Sequence, residues 1–413
     1  MELKIRGLDK VRQLMEKGVL IPNPYSLDIG DDVKVERISG QDVVIYPGCR
    51  IDGSGTVISA GVQLGREGPV TLENCRLGPR VELKAGYFNG SVFLEKASLG
   101  LGAQVREGCI LEEETNGAHC VGLKQTILFP FVTLGSLINF CDCLMAGGTS
   151  RKNHSEVGSS YIHFNFTPEG NKTTPSLIGD VARGVMLNQP PIFLGGQGGM
   201  IGPLRMGFGN VVAAGTILRK DILEDNKLIV GNTQAERVID YRPGFYPNLP
   251  HIVVNNIHYL SHLIALEQWY SHVRRLFFEH QEFGLLIYEG ARHNLAGAKE
   301  ERLKRLQAMA DQIVKKAGNK TLKPDKQQFC DKMPEIHKIF LNEIETSKIV
   351  LARERFLKTL FQQTEKKKFY IEAIQGLPEE TAGQGVQWLQ AVVAEAVRRS
   401  AEVLSEFKGL RKY

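Results

Sequence analysis

The chain is short of several features that would assign it a compartment or a bulk partner. No apolar run of membrane length occurs in its 413 residues and no basic-plus-apolar leader follows Met1, so a soluble, cytoplasmic protein off the membrane is expected. Charge of one sign is also scarce. A formal net charge of +5 over this length does not make a nucleic-acid platform, although it leaves anionic small molecules open as ligands. The seven cysteines are odd in number and fit small buried apolar residues of a reducing compartment better than a disulfide set. Cys141 and Cys143 share one strand face, but no second Cys or His pair completes a site, so no metal is expected. Glycine becomes scarce after residue 250, and most of the 43 glycines precede it.

What fills the glycine-rich part is a repeat. Aliphatic residues or methionine recur every sixth position, as at Leu99, Val105 and Leu111, and again at Leu194, Met200, Met206, Val212 and Leu218. A small residue often follows, as in Leu64-Gly65, Leu77-Gly78 and Met206-Gly207. A period of six fits neither an amphipathic helix nor an alternating strand. It is the pattern of a hexapeptide β-helix, in which short strands form the flat walls of a triangular column. The aliphatic residue points inward, the small one lets the backbone turn, and coils stack about 4.8 Å apart. The expected fold is mainly β: a left-handed parallel β-helix followed by an α-helical domain.

In chain order, residues 1–26 read as a short helix, spanning Arg6 to Val19 and ended by Gly18, plus an entry segment. The β-helix is expected over 27–239. The acidic stretch from Glu112 to Gly117 reads as a bulged corner, and 146–176 as a loop insertion where the period is lost. Turn formers at 240–250 read as a linker. From 251 to 413 apolar residues take helical spacing. Leu260 to Trp269 mark one helix, Leu303 to Ile313 a second, Ile339 through Leu360 a third, and Trp388 to Val397 the last. Gly318–Lys323 and Gly376–Gly385 read as breaks, and Glu365-Lys366-Lys367-Lys368 as a solvated face. The stripes fit a helical-bundle core better than a surface for a protein partner, which stays open.

Arg106 and Lys124 each follow an inward residue and stand 18 residues apart, one complete coil if the coil is regular. Stacked cations of this kind would clamp a phosphate; the alternative is a pair of surface cations. From Leu8 to about residue 232 the chain also resembles the acetyltransferase half of bacterial bifunctional glucosamine-1-phosphate acetyltransferase/N-acetylglucosamine-1-phosphate uridylyltransferases. The residues that carry this are Val105-Arg106-Glu107-Gly108 through Leu123-Lys124, then Val157 to Phe166, Gly170-Asn171-Lys172 and Ile178-Gly179-Asp180. The resemblance implies acetyl-coenzyme A as donor substrate, no tightly bound cofactor, a sugar phosphate as acceptor and a homotrimer. It gives Arg106, Lys124, Asn139 and Lys172 as substrate contacts, and Asn165, Phe166, Ala214 and Gly196 as coenzyme contacts.

The chain departs from that pattern where the chemistry lies. Ser136 stands at the position of the family's basic His, Asn139 at a Tyr, Glu156 at an Asn and Asn232 at an Arg. A serine hydroxyl has no protonated/deprotonated pair near neutral pH. Proton removal is therefore expected from His154, His163 or Glu156. Uridylyltransferase activity is not expected, since that family's nucleotide loop has no match here. Two functions follow as expectations. One is an acyl-coenzyme A-dependent transferase acting on a phosphorylated or nucleotide-linked amino sugar, related to the enzymes of UDP-N-acetylglucosamine biosynthesis. The other is an inactive trimer that binds sugar phosphate as a sensor or scaffold.

Overall fold

The structure is a computed structural model that describes residues 6–165, 170, 172–231, 238, 248–364 and 369–412. The hexads wind into a parallel β-solenoid of about 11 turns, followed by helices. One coil shows how the sequence builds it. Ala103–Val105 lies on a first wall, Ile110–Leu111 on a second and Asn116–Gly117 on a third, and Val121–Leu128 then returns to the first and runs on into the second. Each strand pairs in parallel with its counterpart one coil on: Val105 with Leu123, Leu111 with Leu128, Gly117 with Leu134. Inward positions are sealed: Leu99, Val105, Leu111, Leu194, Met200 and Val212 expose none of their surface. Gly117 takes an inward place because Leu99 already fills it; a Cβ there would come within 2.4 Å of Leu99 Cδ2.

A helix, α1 (Leu8–Glu16), closes the first coil with Val11 and Leu14 buried, and Gly18 stops it at φ 104°. Two irregular stretches prove more ordered than their composition suggests. Glu112 to Gly117 is a regular corner and strand, with Glu112 and Glu113 buried rather than bulged into solvent. Within 146–176 the ladder continues through Glu156–Val157 on the third wall and Ile162–Phe164 on the first. What leaves the wall is a hairpin, Gly148–Ser150 against Asn153–His154. Arg151 at its tip pins it by donating to Glu114 O, Phe131 O and Thr133 Oγ1 at 3.0, 2.9 and 2.8 Å.

The helices that matter most are α2 (Leu249–Trp269), α3 (Gly284–Ala317), α4 (Met333–Leu341), α5 (Ser347–Thr364) and α6 (Glu379–Val403). The expected third helix is two, α4 and α5, separated at residues 342–346. The expected break at Gly376–Gly385 ends before Glu379, and Gly383 and Gly385 lie inside α6. Residues 240–247 and 365–368, read as linker and charged face, lie outside the described residues. Among the described residues no helix is long and apolar enough to cross a membrane.

The helices are laid against the second wall and its corners. Asn294 of α3 donates to the carbonyls of Gly90 and Cys109 at 3.1 and 3.0 Å. At one corner Tyr270 donates to Glu112 at 2.5 Å and Arg274 to Glu113 at 2.7 Å, all four side chains being buried. One cluster of buried apolar residues includes members from Val11 in α1 to Leu410 near the C-terminus. The apolar stripes of the helices are therefore spent largely on the column and on each other.

Candidate functional site

Stacking places Arg106 and Lys124 in one column but sends their side chains to different clefts. The Arg106 amide donates to Leu123 O at 2.9 Å, and Lys124 is in register with Cys141, so the positions repeat coil by coil at one corner. Arg106 reaches along the column to within 4.0 Å of Cys141 Sγ. It lines a cleft of about 430 Å³ on the first wall, with Gln104, Cys120, Gly122 and Asn139. Gly122 makes the notch: a Cβ there would touch no atom nearer than Ile138 O at 3.5 Å, so only a missing side chain opens it. Lys124 lines a different cleft. Its ammonium is paired with Glu107 and borders a cleft against α3 that includes Glu300, Glu301 and Lys304. Burial would raise the Glu107 carboxyl, yet the hydrogen bond from Lys124, a backbone hydrogen bond and the charges of Lys124 and Arg106 together hold it below its ordinary value. Two free cations over one phosphate are not what this chain presents.

The opposite edge of the first wall is the corner shared with the third. Amides of Ala118, Gly135, Gly158 and Gly195 donate to carbonyls one coil on (Leu134, Val157, Leu194 and Val212) at 2.7 to 2.9 Å. The residues after them, His119, Ser136, Ser159 and Gly196, therefore occupy equivalent places, and Ala214 continues the column. Ser136, at the position of the family's basic His, and Gly196 and Ala214, two of the expected coenzyme contacts, thus lie along one corner. His119 was not among the expected residues, and its Nδ1 is 2.9 Å from Ser136 Oγ. Its sequence signal is a spacing of 17 residues to Ser136, one coil short by one residue.

Asn165 and Lys172 lie at the Arg106 side. Asn165 Nδ2 donates to Asp142 at 3.3 Å, and Arg302 of α3 donates to Asp142 at 2.6 Å and to Lys172 O at 3.1 Å. A helix from the C-terminal part thereby holds both ends of the segment that carries Asn165 and Lys172. Phe166 and Asn232 lie outside the described residues. Within one chain Asn165 stands across the first wall from Gly196 and Ala214, and the expected coenzyme contacts do not converge.

None of the three expected proton acceptors lines the cleft on the outer face of the first wall. His163 points into the column in register with Met200, is 1% exposed, and has Nε2 2.9 Å from Ser176 Oγ. Burial pushes its imidazole down to about 4. A side chain sealed inside the column cannot meet an acceptor, for the same reason its hexad position demands an inward residue. His154 and Glu156 form a pair at 3.5 Å on the hairpin and the third wall, and His154 Nδ1 is 2.9 Å from Arg151 O. They lie around the column from Arg106.

No family model matches the chain. Curated relatives do. The chain is 27% identical over 214 residues to the bifunctional protein GlmU of Thermotoga maritima, covering 52% of this chain and 42% of that protein. It is 28% identical over 227 residues to GlmU of Pelobacter propionicus (55% and 44%), and 27% identical over 235 residues to GlmU of Acinetobacter baumannii (57% and 46%). The chain spans somewhat under half the length of these relatives. The solenoid and this similarity together fit a hexapeptide-repeat acetyltransferase-like domain.

Proposed function

We propose that the protein is a cytoplasmic acyl-coenzyme A-dependent transferase acting on a phosphorylated or nucleotide-linked amino sugar, assembled as a homotrimer. The observation that carries this is the first-wall cleft lined by Arg106 and Asn139, with the corner of Ser136, Gly196 and Ala214 running along the opposite edge of the same wall. A guanidinium binds a phosphate through paired N–H groups, and Asn139 beside it offers an amide to sugar hydroxyls. Asn165 and the Gly196–Ala214 corner would reach one acyl thioester only if neighbouring copies bring opposite edges together. Exposed apolar residues support such packing: Ile162, Phe164 and Ile217 on the first wall, and Phe193, Val211 and Leu228 on the third. In the reaction the amine attacks the thioester carbonyl directly, so holding the two in line supplies much of the rate.

The second reading, a sugar-phosphate sensor or scaffold, is favoured by the Lys124–Glu107 pair, which leaves Lys124 already neutralised. Ligand-dependent melting and a thiol-release assay with acetyl-coenzyme A and glucosamine 1-phosphate decide between them. At ligand concentrations 100 times Kd the native state gains about 2.7 kcal/mol, a readily measured rise in Tm. The transferase reading expects both ligands to raise Tm, thiol to be released, and Arg106→Ala to weaken the sugar phosphate selectively. Binding of the sugar phosphate without thiol release supports the sensor. Binding of neither ends both readings.

A further inference from the structure

We propose that His119 and Ser136 form one proton-accepting unit at the corner beside the first-wall cleft, with the imidazole as base and the hydroxyl as relay. The proposal rests on the transferase reading and adds what that reading lacks, a group able to take the acceptor's proton. Alone, neither the serine hydroxyl nor a distant imidazole suffices. Together they do: a hydroxyl accepts a proton through its lone pairs while giving its own to a nitrogen within hydrogen-bond distance.

Four observations support the geometry. The Ser136 Oγ to His119 Nδ1 separation is 2.9 Å, and His119 is exposed, so Nε2 can carry the neutral ring's one proton while Nδ1 accepts. The Ser136 backbone is fixed from two sides: its amide donates to Ser159 Oγ at 3.1 Å and its carbonyl accepts from Ser160 at 2.8 Å. The His119 carbonyl accepts from Leu137 at 3.0 Å, tying the two corner turns together. Finally, Cys120, next to His119, lines the same cleft as Arg106. From residue 120 to the Arg106 column is about four strand residues, or ~13 Å, which leaves room for one sugar ring between guanidinium and hydroxyl.

In the step itself, the acceptor amine forms a bond to the thioester carbonyl carbon and the carbon–sulfur bond breaks. The amine's proton passes to Ser136 Oγ as the hydroxyl proton moves to His119 Nδ1. The electron pair leaves on the coenzyme thiolate, and the imidazolium returns its proton to that sulfur or to water.

The test uses the full chain with acetyl-coenzyme A and glucosamine 1-phosphate, comparing His119→Gln, Ser136→Ala and the double variant. Expected is a fall in kcat of about 10²- to 10³-fold in each single variant and no further fall in the double, as for groups acting as a unit. KM for glucosamine 1-phosphate stays as in the parent. The acid limb of the kcat–pH profile disappears in His119→Gln. If His119→Gln keeps parental kcat and the acid limb while Arg106→Ala still raises KM, the pair is refuted and the transferase reading stands. An acetyl group found on Ser136 in the absence of acceptor also refutes it, because the hydroxyl would then be the nucleophile. No thiol release by the parent protein, with no thermal shift from either ligand, removes both.

Discussion

At the scale of single residues, the protein carries buried ionisable groups whose environments oppose one another as pH changes. Burial pushes His163 and His262 each down to about 4, so the folded imidazoles stay neutral where unfolded ones would be charged. Below the unfolded value of ~6.5 the unfolded chain therefore binds more protons, and stability present above that pH is lost as pH falls toward 4. Glu112 has the opposite sign. Burial raises its carboxyl from 4.5 to about 7, against the pull of Arg274. Its contribution is present below the ordinary carboxylate range and is lost as pH rises through 7. Replacing Glu112 by Gln keeps an oxygen able to accept from Tyr270 and removes the titration. Denaturant midpoints at pH 5, 6, 7 and 8 are expected to move in favour of Glu112→Gln as pH rises; a gap between variant and parent that ignores pH would contradict this. None of it was visible in the sequence, where Glu112 and Glu113 read as part of a bulged corner. Their partners Tyr270 and Arg274 lie 158 and 161 residues further on.

At the scale of elements, the column was legible because each hexad position has one physical job. An inward residue must fill a fixed volume, so Val105, Leu123, Met200 and Met206 reveal their register without any knowledge of neighbours. The same rule could have removed His163 from the candidates, since it sits in register with Met200. The helices were legible as elements but not at their ends, because a glycine that breaks a helix and one that admits a neighbour look alike in sequence. Gly383 and Gly385 in α6 make the difference measurable. A Cβ on Gly385 would come within 2.5 Å of Met186 Cε and 2.9 Å of Phe356, whereas one on Gly383 meets nothing within 4 Å. Gly385→Ala is expected to destabilise by about 1–3 kcal/mol through overpacking. Gly383→Ala is expected to stabilise by up to ~1 kcal/mol through helix propensity. Equal effects in urea titrations would mean that α6 does not pack as described. His119 escaped notice for a related reason: its meaning comes from Ser136 one coil away, and a corner column follows backbone pairing rather than the count of six.

At the scale of the whole molecule, the question is whether the column and the helices are separable units. The apolar contacts and the charges both argue against it. Asp142 is buried in the column, and Arg302, equally buried in α3, is its partner at 2.6 Å; Glu113 and Arg274 repeat the arrangement at another corner. Each pair is buried only while column and helices are docked, so a partial separation that parted the charges before water reached them would be costly. One cooperative unfolding transition is therefore expected, with calorimetric and van't Hoff enthalpies in agreement. Arg302→Met is the sharper probe. Losing one partner of a buried pair costs about 3–5 kcal/mol, and the double change Arg302→Met with Asp142→Asn should recover part of it by removing the stranded charge. Because Arg302 also holds Lys172 O, and Asp142 holds Asn165, the single variant should weaken binding of acetyl-coenzyme A even at temperatures where the fold is intact. Two separate transitions, with only the second moved by Arg302→Met, would show that the helices fold independently of the wall they cover. A single transition lowered as a whole would make the helical region part of the site's own support.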